Sequence, residues 1–314
     1  MAGKPKNLLV YYGYLNSFNS AVNGWDNEKV AQDMAKYDTF IFGDGVQDPS
    51  HPDYANTTTI IARLKTLKPD AIIYGYVSAN QALATFQTKT DQWDTLAVNG
   101  IFLDEAGYDY GVTRDGLNAC ILHVRSKNSA KICFANSWNM DHVVGIANDV
   151  SYPNSTYNPS LHPSLLDSRD YYMLESFAVN TAAYSGNGGY ATQSDVLARG
   201  NKAVSLSVQY GVQLAALNVI DNGSASGQSL FNFCYNAAIL YGIDLSGSSD
   251  ISYAAGTAAV KFWARPGKKH IGRTSAISVV QNPLDTDVLL RYGEHAKVSV
   301  DFSTGAQMSA IETW

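Results

Sequence analysis

The residues with the strongest chemical potential are carboxylates that end apolar runs. Asp104 and Glu105 close Gly100-Ile-Phe-Leu-Asp-Glu-Ala106, and Glu175 closes Tyr171-Tyr-Met-Leu-Glu175. An unpaired carboxylate behind so apolar a run is costly to bury, which points to a use for it. Two carboxyl groups facing across a cleft are the minimum for glycoside hydrolysis. One gives a proton to the leaving oxygen, and the other attacks the anomeric carbon or activates water. Asp44, in Gly43-Asp-Gly45, offers a third acidic wall, although the same triplet is ordinary turn chemistry. Asp104-Glu105 could likewise cap the helix that follows. With a strand period of two, Asp104 shares the side of Phe102, and Glu105 begins the loop, where it could position substrate. Tyr12, Tyr76 and Trp138 could stack on sugar rings, and Asn136 and Gln209 could supply polar contacts.

These residues need a scaffold that brings strand ends together. Short β-branched and aromatic runs recur along the chain with helical patterns between them. The runs are Leu8–Tyr14, Thr39–Asp44, Ala71–Val77, Gly100–Asp104, Lys131–Asn136, Asp170–Glu175 and Ala203–Val208. An eighth is expected near Ile243–Leu245 or slightly later. Leu214–Ile220 reads either as a strand or as a short helix, and Gln228–Tyr241 as a helix. The strands are nearly continuous apolar runs, as in parallel sheets covered on both faces. A doubly wound sheet competes, but no G-x-G-x-x-G follows the first strand, and the unit count fits eight. The expected fold is therefore a (β/α)8 TIM barrel over residues 1–262, with its site at the C-terminal strand ends. Residues 263–314 carry alternating segments from Ala276, Val288 and Lys297 and read as a small C-terminal β-module. Residues 148–169 (Pro-rich) and 185–189 (Gly-rich) read as loops.

Composition narrows the function. The chain has 314 residues, is 46% hydrophobic and carries a net charge of −6. That supports a large core and excludes a phosphate-backbone binder, which needs clustered Lys and Arg. No apolar run is long enough to span a membrane. No apolar leader with a small-residue cleavage site opens the chain, and an extracellular or virion-associated setting is the expectation. Cys120, Cys133 and Cys234 lie in apolar runs and read as buried thiols. The six histidines lack metal-ligand spacing, so neither a metal nor another cofactor is expected.

Tyr11-Tyr-Gly-Tyr14, Phe40-Ile-Phe-Gly-Asp44, Ile73-Tyr-Gly-Tyr-Val77 and above all Gly100-Ile-Phe-Leu-Asp-Glu105 resemble barrel glycosidases related to glycoside hydrolase family 114. Those are endo-α-1,4-polygalactosaminidases. The spherulin-like glycosidases, which cut galactosaminogalactan, share this type of fourth strand. The resemblance spans roughly residues 7–180. Phe231–Tyr241 and Leu289–Gly305 are also similar to a hypothetical glycosyl hydrolase group whose barrel ends in a β-module. The resemblance implies an endo-acting O-glycosidase on an amino-sugar-containing or related polysaccharide, with Asp104 catalytic and Glu175 its partner. Low charge and Tyr/Asn/Ser/Gly-rich loops leave a second reading open: a non-catalytic carbohydrate-binding or structural barrel of a phage tail or other surface assembly.

Overall fold

The computed structural model describes residues 5–146, 157–179, 190–221, 227–250, 262–263, 279–282, 285–292, 296–302 and 309–313. The Gly-rich 185–189 stretch, part of the Pro-rich insertion and residues 276–278 lie outside them.

Eight parallel strands close a barrel: β1 (Lys6–Tyr11), β2 (Thr39–Phe42), β3 (Ile72–Ser78), β4 (Gly100–Asp104), β5 (Ile132–Asn136), β6 (Tyr171–Glu175), β7 (Gln213–Val219) and β8 (Leu245–Ser249). β8 returns to pair with β1 through Lys6↔Leu245. Outside lie α1 (Ser20–Asn23), α2 (Asn27–Met34), α3 (Tyr54–Leu67), α4 (Leu83–Thr95), α5 (Arg114–Lys127), the one-turn α6 (Asp141–Val144), α7 (Gln193–Tyr210) and α8 (Gly227–Leu240). This is the (β/α)8 TIM barrel expected from the strand count.

The two faces of each strand have separate tasks. Leu8, Val10, Ile41, Tyr74, Phe102, Phe134, Tyr171, Met173, Ala215, Leu217 and Leu245 form one buried cluster, the barrel interior. Alternate residues such as Leu9, Phe40, Ile73, Ile101, Cys133 and Tyr172 belong to the larger core under the helices. Both faces are dry, which is why the strands show no polar alternation. Aromatic rings fill the interior edge-on, with Tyr74 and Phe102 each packed against Phe134. Continuing the inward alternation by one step brings Tyr76, Asp104, Asn136 and Glu175 to the mouth.

The seventh strand departs from expectation. Ala203–Val208 lies in the last turns of α7, and β7 is Gln213–Val219. Val196, Gly200, Ala203, Val204 and Ser207 make the buried stripe of α7, a helical spacing that outweighs the local β-like alternation. The Thr192 side chain caps the start by accepting from Asp195 N–H, and Gly211 at φ +80° ends the helix, a left-handed step that glycine takes freely. Gln209 is consequently an exposed helical residue beside the start of β7. It sits at the end of the barrel away from the strand mouths and leaves the list of candidate site residues.

The C-terminal segment forms a four-stranded antiparallel sheet, ordered β12-β11-β10-β9, from β9 (Val279–Asn282), β10 (Asp285–Tyr292), β11 (Ala296–Asp301) and β12 (Ser309–Thr313). It packs on α8. Phe302 meets Phe233 edge-on at 5.2 Å. The buried Arg291 guanidinium donates to the Ile239 carbonyl at 2.8 Å and the Leu240 carbonyl at 3.4 Å. These are end carbonyls of α8, which have no partner inside the helix.

Candidate active site

Asp104 and Glu175 end β4 and β6, with Asn136 at the end of β5 between them. Asn136 Nδ2 donates to Asp104 Oδ1 at 2.9 Å and to Glu175 Oε2 at 3.0 Å. Its two N–H bonds diverge by roughly 120°, so the two acceptor oxygens are about 5 Å apart and at most about 6 Å. A bridge this short is compatible with the carboxyl spacing of about 5–5.5 Å associated with a covalent glycosyl intermediate.

Asp104 is held from several sides. Besides Asn136, the Tyr76 hydroxyl and the Glu105 backbone N–H donate to it. Burial raises its pKa; the three donors oppose the rise, and the neighbouring charge of Glu175 adds to it. The result is a desolvated carboxylate with fixed lone pairs. Burial also raises the Tyr76 phenol, with Asp104 the next cause, so Tyr76 remains a neutral donor. Tyr12 packs edge-on against Tyr76 at 5.3 Å. Tyr12 and Tyr76 thus form the floor under Asp104.

The backbone is unusual just past each carboxylate. Glu105 has φ +54° and Ser176 has φ +50°, a left-handed region that costs a side-chain-bearing residue about 1–2 kcal/mol. Both turns are tied down. The Asp104 carbonyl accepts from Ala79 N–H at 2.8 Å, and Ala106 N–H donates to the Asn136 carbonyl at 2.9 Å. On the other side Arg199 donates to the Glu175 carbonyl at 2.6 Å and the Ser176 carbonyl at 2.9 Å. Glu105 turns its carboxylate to Ser78 Oγ, 2.6 Å away.

Asp104, Glu105, Asp109, Tyr110, Asn136, Ser137, Trp138, Glu175 and Arg199 line a hollow of about 210 Å³. Trp138 is 62% exposed and Tyr110 46% exposed, so both offer ring faces at the rim. The Arg199 guanidinium carbon lies 4.9 Å from the Trp138 ring centroid. Of the residues singled out in the sequence, Asp104, Glu105, Asn136, Trp138 and Glu175 line this hollow, while Tyr12 and Tyr76 support it. Asp44 is in a neighbouring hollow, ion-paired with Lys89. Asp109, Tyr110, Ser137 and Arg199 were not singled out. Arg199 carries no local signal, because it arrives from α7. Asp109 and Tyr110 were legible only as polar residues in the loop after β4.

Among the described residues no group of three or more His, Cys, Asp and Glu side chains could hold a metal ion. Among the described residues no helix is long and apolar enough to cross a membrane. All three cysteines are buried.

No protein-family model matches the chain, and no curated protein matches it. Among solved structures it is similar to Amy13B of Eubacterium rectale, with a TM-score of 0.54 at 8% identity, covering 96% of this chain and 87% of that one. An α-amylase from Geobacillus thermoleovorans complexed with acarbose gives a TM-score of 0.48 at 8% identity, covering 96% and 87%. N-acetylneuraminate lyase from Aliivibrio salmonicida gives 0.44 at 10%, covering 81% and 72%. At such identities the likeness is one of fold.

Proposed function

We propose that this barrel is a retaining O-glycosidase that cleaves an amino-sugar-containing polysaccharide. The fold alone does not select this reading, since barrels carry many chemistries. The observation that carries it is the single Asn136 amide bonded to both Asp104 and Glu175.

In this reading Asp104 is the nucleophile. Its oxygens accept three donors, an arrangement suited to the ionised form. Asp104 attacks the anomeric carbon as the bond to the glycosidic oxygen breaks, and Glu175 delivers its proton to that oxygen. A water then enters, Glu175 takes its proton, and the hydroxyl displaces the Asp104 ester with a second inversion. Trp138 and Tyr110 supply apolar faces for the C–H side of a pyranose. The lining carries four carboxylates, and the Arg199 guanidinium is engaged with carbonyls. Such a pocket favours a protonated sugar amine over a uronic acid.

Galactosaminogalactan and de-N-acetylated galactosamine polymer are the substrates to try first, with new reducing ends as the readout. Asp104→Asn and Glu175→Gln are each expected to lower turnover about 10³-fold or more while still folding. Azide should rescue Asp104→Gly with a product of inverted configuration. If the wild-type protein binds the polymer without cutting it, the chain is a binding barrel and the catalytic reading fails.

A further inference from the structure

We infer that the hollow between the β2–α3 loop and α4 is a second sugar-binding subsite, which holds a non-reacting residue of the polysaccharide whose cleavage is proposed above. The hollow measures about 440 Å³ and is lined by residues of two segments, with Asp44, Gln47 and Asp48 on one and Thr85, Thr88 and Lys89 on the other. It is larger than the catalytic hollow of about 210 Å³, which has room for little beyond one ring. The rest of a bound chain must therefore lie along the rim.

Position favours this hollow for that role. It starts at the mouth of β2, and β2, β3 and β4 are consecutive in the barrel. Two strand spacings, about 10 Å, separate the mouth of β2 from that of β4. Tyr76 stands between them, bonded to Asp104 and within range of the Asp44 charge. A chain running from Asp104 toward Asp44 would cross the rim over Tyr76 and Ser78.

Gln47 supplies an independent sign of a ligand. It is 1% exposed, its Nε2 donates to Asp44 at 2.9 Å, and its buried Oε1 has no hydrogen-bond partner. A buried amide oxygen without a donor is costly, and a bound water or ligand hydroxyl is one way to satisfy it. Around it stand donors and acceptors: the Asp44–Lys89 ion pair, Thr88 and Gln92, with Asp48 leaving the lining one negative charge. Asp48, on the same wall, is already bonded to the Ser50 backbone and side chain. Polar groups at the edge beside Ala84 and the Thr85 and Thr88 methyls suit the hydroxyls and the C–H face of a hexose.

The test uses the full chain carrying Glu175→Gln, with methyl signals of Ala84, Thr85 and Thr88 reporting on the hollow and the Trp138 indole reporting on the catalytic pocket. Probes are galactosamine disaccharide and hexasaccharide, with glucosamine and galactose oligomers beside them. The disaccharide should move Trp138 alone, and the hexasaccharide should move both regions. Thr88→Trp, which fills the hollow, and Gln47→Met should each weaken the hexasaccharide about tenfold and leave the disaccharide unchanged. Shifts at Trp138 alone with every probe overturn the subsite and leave the proposed glycosidase intact. Shifts in the hollow from a protein whose wild-type form cuts nothing support the subsite and refute the glycosidase. Silence in both regions with every probe overturns both.

Discussion

Asn136 touches the carboxylates of Asp104 and Glu175 with the same nitrogen, at 2.9 and 3.0 Å. The amide holds the two like charges at a set distance and partly neutralises each. Removing it as Asn136→Ala leaves two half-buried carboxylates short of a donor. Each charge-assisted bond is worth about 1.5–3 kcal/mol, so kcat should fall about 10–100-fold with a smaller effect on KM. Asn136→Asp, a near isostere, adds a third negative charge and should lose more. Steady-state kinetics on both variants test this; an unchanged kcat in either would remove Asn136 from the mechanism.

Acidity follows from the same geometry. Burial raises the Asp104 pKa, and the Tyr76 hydroxyl pulls it back down. The acid limb of kcat/KM should therefore lie above the range of an ordinary aspartate. Tyr76→Phe deletes a donor to the carboxylate, which moves that limb to still higher pH. A limb that stays put or moves downward in Tyr76→Phe contradicts the assigned role. Stability has the matching sign. A carboxyl whose folded pKa exceeds its unfolded value binds its proton better in the folded state. Asp104 therefore costs stability at neutral pH, and that cost disappears as pH falls through and below both values. Asp104→Asn should raise Tm at pH ~7, with the gain shrinking on acidification. Thermal melts across pH decide it.

The barrel and its carboxylate pair were legible because apolar runs closed by Asp104 and Glu175 repeat at βα spacing. The parity with Phe102 was enough to turn Asp104 inward, and the structure gives Glu175 the same parity with Met173. Asn136 was legible as a strand-end residue, but its bridging role was not, since that depends on three strand ends converging. The seventh strand was misread because Ala203-Val-Ser-Leu-Ser-Val208 alternates like a strand, whereas the buried stripe from Val196 to Ser207 and the Gly211 stop govern the fold. Gln209 followed that error to the wrong end of the barrel. Arg199 stayed hidden because a helical arginine shows no sign in sequence of reaching the turn after β6. Asp44 shows the limit of position alone: it lies at a strand mouth, yet its partner is Lys89 of α4.

Arg199 fixes the turn after β6 by donating to the carbonyls of Glu175 and Ser176, and it stacks against Trp138. It is a positioning residue. Arg199→Lys keeps a charge but loses the planar fork that reaches two carbonyls. The strained Ser176 turn then loses an anchor, and the Glu175 carboxylate loses its fixed approach to the leaving oxygen. A fall in kcat of roughly tenfold or more is expected, together with a higher KM from the unsupported Trp138 ring. Trp138→Ala should raise KM without the kcat effect. If both variants change KM alone, Arg199 only supports the ring and does not position Glu175.

Arg291 ties the C-terminal sheet to the barrel far from the chemistry. It is 2% exposed and donates to the last carbonyls of α8, where a positive charge also complements the helix dipole. Leu289 and Val300, its neighbours on β10 and β11, belong to the core that runs under the barrel helices. Cutting Arg291 back to Met keeps apolar bulk and deletes the donors; the Ile239 carbonyl keeps Gly242 N–H at 3.0 Å, but the lost charge-assisted bonds should cost about 1–3 kcal/mol. The expected result is a lower Tm and a lower denaturant midpoint, with kcat and KM unchanged for the folded protein. Because α8 precedes β8, which pairs with β1 to close the barrel, loosening the sheet should destabilise the barrel in the same transition. A separate early transition in Arg291→Met, with the barrel melting at its original temperature, would show instead that the C-terminal sheet contributes nothing to barrel closure.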